Sequence, residues 1–272
     1  MSAFIRIFIL SLGLLLIGGQ FAVAGAPIKA PSLEAQKVLQ QVADAYDAKD
    51  YAKARELLEP LAAENDPYAT FAMGLMSARG EGVERDLKAA ESWWLKSSAA
   101  GNPQAQFNLG YLYFKGALGA QDMDKARELW SQAVKQKHPD AQYGLGVLQF
   151  NGAGGAKDVN AAIKNFQGAA DMGHPLAAFE LGQIYLEGLG VKKDPKKARA
   201  YLKKAADQGM PEAKNALAAL GEEKKGGDKK AAQKPAPQKQ APQKPAAKKP
   251  AAPPAEEQEQ KPAMNWGTLP RN

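Results

Sequence analysis

The sequence has no cysteine and only two histidines among 272 residues. The first absence excludes disulfide frameworks, thiolate zinc sites, cysteine nucleophiles and lipid attachment at an N-terminal cysteine. The second leaves too few imidazoles for a His-rich metal centre, so no metal is expected. No serine is followed three residues later by lysine, and no H-E-x-x-H occurs, which removes two common hydrolytic arrangements. The glycine runs lack a Gly-Lys-Ser/Thr ending and follow helical patterns rather than strands, so they read as turns and not as a phosphate loop. With no catalytic set and no cofactor motif, no cofactor is implied and the chain reads as a non-enzyme. A folded surface of one charge is also missing. The net charge is +7, but residues 221–272 hold 11 Lys+Arg against 6 Asp+Glu. Residues 25–220 carry 24 basic and 23 acidic residues, and so balanced a body lacks the footprint of a nucleic-acid-binding domain.

Long apolar runs are confined to the start. Arg6 precedes an apolar stretch, Ile7 to Ile17, broken only by Ser11 and Gly13, and Ala22-Val23-Ala24 forms an A-x-A site. This is the layout of a secretory leader, expected over residues 1–24 with cleavage near Ala24. Its apolar core is shorter than the roughly 20 residues that span a bilayer. The competing reading is an uncleaved anchor, because Gly18 to Gly25 stays mostly apolar; the membrane would then be contacted through the leader alone. Export without a lipidation cysteine implies a periplasmic or secreted bacterial protein. Residues 25–30 read as a short linker.

What the chain does have is a repeat. Pro67, Pro103, Pro139, Pro175 and Pro211 are spaced 36 apart, and Pro31 falls in the same phase. With each proline as position one, position three is Ala69, Ala105, Ala141, Ala177 and Ala213. Position five is Phe71, Phe107, Tyr143 and Phe179. Positions seven and eight are Met73-Gly74, Leu109-Gly110, Leu145-Gly146 and Leu181-Gly182. Position fourteen is Gly80, Gly116, Gly152 and Gly188; position twenty is Asp50, Asp86, Asp122, Asp158 and Asp194. Position twenty-four is alanine throughout, and position twenty-eight is Leu58, Trp94, Trp130, Phe166 and Leu202.

Each column has a physical reason. Proline suits the first turn of a helix, where its missing N–H is not needed. Positions three, seven, ten and fourteen share one helical face. Glycine at fourteen fits a left-handed helix end, and aspartate at twenty caps a second helix. The unit is helix–loop–helix, and neither helix can bury its apolar face alone. Stacked units bury a continuous core, which predicts an all-α fold, an α-solenoid of helix–loop–helix repeats. Four units are expected at 67–102, 103–138, 139–174 and 175–210. Residues 31–66 keep the second-helix pattern but not the first, and read as an N-terminal cap; residues 211–220 read as a C-terminal capping helix.

The pattern A-x-F/Y-x-L-G, then G-x-G-V (Gly80-Glu81-Gly82-Val83 and Gly188-Leu189-Gly190-Val191), then D-x-x-x-A resembles the Sel1-like repeat, a relative of the tetratricopeptide repeat. The resemblance implies a protein-interaction scaffold whose first helices line a concave surface. Within the chain, positions two, six, nine and thirteen form one stripe on the first helices. They read Tyr68, Ala72, Leu75, Arg79; Gln104, Asn108, Tyr111, Lys115; Asp140, Gly144, Val147, Asn151; and Leu176, Glu180, Gln183, Glu187. Size and charge change from unit to unit, unlike the constant inward columns. An open groove along this stripe, positive at Arg79 and Lys115 and negative at Glu180 and Glu187, is expected to hold a protein or peptide partner. Two alternatives stay open for the position-five aromatics, packing or groove contact, and for Trp93, core or surface platform. His138 and His174 occupy equivalent sites before prolines, where a helix-end role as favoured cations is expected.

Residues 221–263 are Lys, Pro, Ala and Gln with few large apolar groups, a composition expected to be disordered. They read either as a spacer contacting anionic envelope polymer such as peptidoglycan, giving a cell-wall-associated structural protein, or as a solubilising tail. Residues 264–272 change character. Met264, Trp266, Leu269 and Arg271 could form a short docking peptide, since Trp and Arg are common interface anchors.

Overall fold

The computed structural model describes residue 28 and residues 30–227, with side chains to residue 221. The expected leader and the docking residues Met264, Trp266, Leu269 and Arg271 lie outside the described residues. Eleven α-helices and no strand occur among the described residues. They are α1 (Leu33–Asp47), α2 (Tyr51–Ala63), α3 (Pro67–Arg79), α4 (Leu87–Ala99), α5 (Pro103–Lys115), α6 (Met123–Lys135), α7 (Pro139–Asn151), α8 (Val159–Asp171), α9 (Pro175–Glu187), α10 (Pro195–Asp207) and α11 (Pro211–Gly227). Each packs chiefly on the helices before and after it in the chain, so the all-α solenoid expected from the period is what forms.

The helix ends follow from single residues. Helices α2, α4, α6, α8 and α10 open on Asp50, Asp86, Asp122, Asp158 and Asp194, whose carboxylates accept backbone N–H groups two or three residues on. These bonds satisfy donors that the first turn otherwise leaves unpaired. Helices α3, α5, α7 and α9 begin with proline and close on Gly80, Gly116, Gly152 and Gly188, with φ between 63° and 75°. A side chain there would be strained, which explains the invariant column.

The interior depends on pairing a glycine with a large side chain. A Cβ on Gly110 would lie 2.6 Å from the Trp130 indole nitrogen; on Gly146, 2.7 Å from the Phe166 ring; on Gly182, 2.6 Å from Leu202. Position eight is therefore glycine so that the first helix can approach the position-twenty-eight residue of its own unit. Trp94 and Trp130 then donate their indole N–H to the carbonyls of Phe71 and Phe107 at 3.2 and 3.1 Å. Trp130 is also met from the next unit by Gly144, where a Cβ would lie 2.8 Å away. One indole thus joins two units. The position-five aromatics Phe71, Phe107, Tyr143 and Phe179 are all buried, which resolves that alternative in favour of packing.

The two ends depart from the repeat. Helix α1 starts at Leu33 behind the Ser32 cap, not at Pro31, and runs 15 residues with no left-handed glycine at its end. At the other end α11 runs 17 residues to Gly227, past the boundary at 220 drawn from composition. Glu222 to Lys225 are good helix formers, so charge and solvation do not stop the helix at 220. The aliphatic part of α11 packs inward through Ala213 and Leu220.

Replacing Gly110 with alanine should test the close approach. Overpacking against buried Trp130 costs about 1–3 kcal/mol, against a helix-propensity gain of about 1 kcal/mol. The thermal midpoint of Gly110→Ala is therefore expected to fall. Gly221→Ala in α11, where no atom lies within 4 Å of the added Cβ, is expected to leave it unchanged or raise it.

Candidate partner-binding face

The stripe lies on α3, α5, α7 and α9. Arg79, Lys115, Asn151 and Glu187, at the last position of each helix, are exposed. Tyr68, Leu75, Gln104, Asn108, Tyr111, Asp140 and Gln183 are half-buried, presenting part of each side chain to solvent. Glu180 differs from expectation. It is 5% exposed, packed within α9 beside Tyr143, whose hydroxyl pKa is raised by burial and then by the Glu180 charge. The negative end of the face therefore rests on Glu187 rather than on a pair.

The positive end is organised by neighbours. The Lys115 ammonium lies 5.8 Å from the centre of the Tyr111 ring, and Tyr111 in turn stacks between Phe107 and Phe114, each at 6.5 Å. A rigid aromatic with a cation at its edge is a common form of interface anchor. Arg79 lies 3.9 Å from Glu81, which also accepts the Tyr46 hydroxyl at 3.0 Å. This links the capping unit to the first repeat.

The histidines do not act as cations at helix ends. His138 and His174 are the N-caps of α7 and α9, and each Nδ1 accepts a backbone N–H, from Ala141 at 3.3 Å and Ala177 at 3.2 Å. They stand where Asp66 and Asn102 cap α3 and α5. An imidazole that accepts at Nδ1 cannot also carry a proton there, so the cap needs the neutral ring. The rings stack on Phe107 at 4.9 Å and on Tyr143 at 4.6 Å. Nε2 of His174 lies 3.3 Å from Oδ1 of the stripe residue Asp140, which ties that carboxylate to the next unit. Burial pushes the Asp140 pKa up, but the His174 hydrogen bond and the two imidazoles outweigh it, and the net shift is downward. Among the described residues, no group of three or more His, Asp or Glu is placed to hold a metal ion.

Trp94 is core, and Trp93 is half-buried with the Lys96 ammonium 4.6 Å from its ring centre. Trp93 also lines a pocket of about 500 Å³ with Arg55, Ser77, Val83, Glu84, Arg85, Asp86 and Ala89. The sequence reading missed this site. Its signal was Ser77 at position eleven, where the other units carry Tyr113, Gln149 and Tyr185.

The Sel1 repeat model matches residues 47–66, 67–102, 103–138, 139–174 and 175–210. The chain belongs to the Sel1 repeat family. A Sel1 repeat protein from Oxalobacter formigenes is 34% identical, over 66% of this chain and 74% of that one, with a TM-score of 0.63. A protective antigen present in uropathogenic Escherichia coli strains, displaying an SLR fold, is 31% identical over 66% of this chain, with a TM-score of 0.62. This chain spans 40% of that antigen's length. No curated protein matches. The first match begins at residue 47, at the end of α1, and covers the second helix of the N-terminal unit. Sel1 repeat proteins generally mediate protein–protein interactions on a non-catalytic scaffold fold.

The His138 cap gives a pH prediction. Its pKa is lowered, chiefly by burial and further by His174, against the raising effect of Asp140. The unfolded state therefore binds more protons between the lowered value and about 6.5. The cap's contribution is complete above the unfolded pKa and is lost as pH falls through the folded one. Between pH 7.5 and 5.5 the thermal midpoint should drop less in His138→Asn, which restores the cap chemistry of Asn102, than in the parent. Equal drops would refute the titrating cap.

Proposed function

We propose that this protein is an exported, non-enzymatic scaffold that holds an extended segment of a protein partner along the first-helix stripe. The observation that carries this reading is the contrast between columns. Inward positions three, five, eight and twenty-eight keep one chemistry from unit to unit, set by packing. Stripe positions change from Tyr68 and Leu75 to Gln104 and Tyr111, then Asp140 and Asn151, then Gln183 and Glu187. A face that served only as solvated surface needs no anchored ring, yet Tyr111 is braced by Phe107 and Phe114 with Lys115 at its edge. Solenoids characteristically use an extended face of this kind for binding.

The polarity of the stripe, basic at Arg79 and Lys115 and acidic at Glu187, favours a partner segment charged in the opposite order. Export to the periplasm rests on the Arg6-to-Ala24 leader. It predicts a mature chain beginning at Gly25, which N-terminal sequencing of the envelope fraction would read directly.

Crosslinking in living cells from a photoreactive residue at Tyr111, followed by mass spectrometry, tests the stripe and identifies the partner. Tyr111→Ala combined with Lys115→Ala is expected to weaken capture of that partner by about tenfold or more, the scale of an interface anchor, with helicity unchanged. Undiminished capture would remove the stripe from consideration.

A further inference from the structure

The pocket at Trp93 exists because one side chain is missing from a repeated joint. The position-eleven side chains of the later units meet positions twenty-three or twenty-seven of their own unit and, in the second repeat, position twenty-five of the unit before. In the second repeat Tyr113 fills this space. Its hydroxyl donates to Glu91 at 2.6 Å, and its ring carries Lys125 at 4.8 Å. In the third, Gln149 accepts from Asn165 at 2.7 Å. In the fourth, Tyr185 stacks on Tyr201 at 5.9 Å and 5°, under Lys197 at 5.0 Å. In the first repeat the equivalent residues are Ser77, Ala89, Trp93 and Arg55, and all four line the pocket. Ser77 turns back to the Met73 carbonyl at 2.9 Å and leaves the volume open. At about 500 Å³ it falls within the roughly 300–1,000 Å³ of sites that take a ligand.

We propose that this slot is filled by Trp266 of the same chain, whose indole takes the place beside Trp93 that Tyr185 takes beside Tyr201. Three observations select it. The slot lacks the position-eleven ring that Tyr113 and Tyr185 supply in the second and fourth repeats, and Trp266 is the only aromatic residue after 221. The charges in the lining balance, so an acidic or basic ligand gains little. Arg55 is held 3.3 Å from Glu59, and Asp86 caps α4. Arg55 and Arg85 line the slot with Glu84; a guanidinium favours an aromatic face, tryptophan best of all, and a carboxylate accepts an indole N–H. The connection is also long enough. Residues 228–265 span up to roughly 120 Å at about 3.1 Å each. The six first helices, five spacings of about 8–10 Å, span roughly 40–50 Å. Position eleven lies roughly 170° around the helix from the stripe, at about 100° per residue, so this contact is independent of the proposed groove.

Fluorine NMR of the full chain labelled with fluorotryptophan tests the proposal, with the Trp266 signal assigned by Trp266→Phe. In the parent chain that signal should be displaced from its position in a synthetic peptide of residues 264–272. Ser77→Tyr, which installs the residue of the second and fourth repeats, should abolish the displacement while helicity and thermal midpoint are kept. Trp93→Ala, at a half-buried position, should abolish it as well and guards against a misfolded Ser77→Tyr. A parent signal already at the free-peptide position overturns the proposal, as does a displacement that survives both substitutions. A displacement lost on dilution means that a second copy supplies the indole, which overturns the same-chain assignment.

Discussion

The structure depends on one close approach: a glycine at position eight of the first helix against the large residue at position twenty-eight of the second. It sets the distance between the two helices of a unit. It also seats each indole so that its N–H reaches the position-five carbonyl, as Trp94 reaches Phe71 and Trp130 reaches Phe107. A buried indole needs such a partner. Because Trp130 is touched by Gly110 on one side and Gly144 on the other, the same contact that closes a unit also registers the next. The contact recurs with the period of 36, so successive units return to it in the same phase.

Around that contact the chain varies what it can. Helix caps alternate between Asp66, Asn102, His138 and His174 with the same geometry, because the first turn requires an acceptor and not a particular one. The replacement has side effects. A carboxylate or amide caps without titrating near neutrality, whereas the His138 imidazole couples its joint to protons, and His174 ties its cap to Asp140 on the binding stripe. Position eleven varies in the same way, and there one joint was left without its filler.

Much of this was legible in the sequence because the repeat aligns the chain with itself. The proline, glycine and aspartate columns mark helix ends, and the bulky column marks the core. Other features were not legible, for definite reasons. Glu180 has the sequence position of a surface residue, and only the packing around α9 shows that it is covered. The histidines precede prolines in a pattern that names a helix end but not the lone pair in use. The α11 boundary was drawn from composition, which measures burial rather than helix propensity. Ser77 stood out in its column, but its meaning required knowing that positions eleven, twenty-three, twenty-five and twenty-seven converge.

A row of units that touch only their neighbours carries load in series. Pulled from its two ends, such a molecule yields at one boundary at a time rather than all at once. Here the boundaries are unequal: Tyr113 reaches from the second repeat to Glu91 of the first, whereas its counterpart Ser77 turns back to Met73 and the preceding boundary is bridged by Tyr46 and Glu81 instead. Tension along the chain would therefore meet a different set of bonds at each boundary.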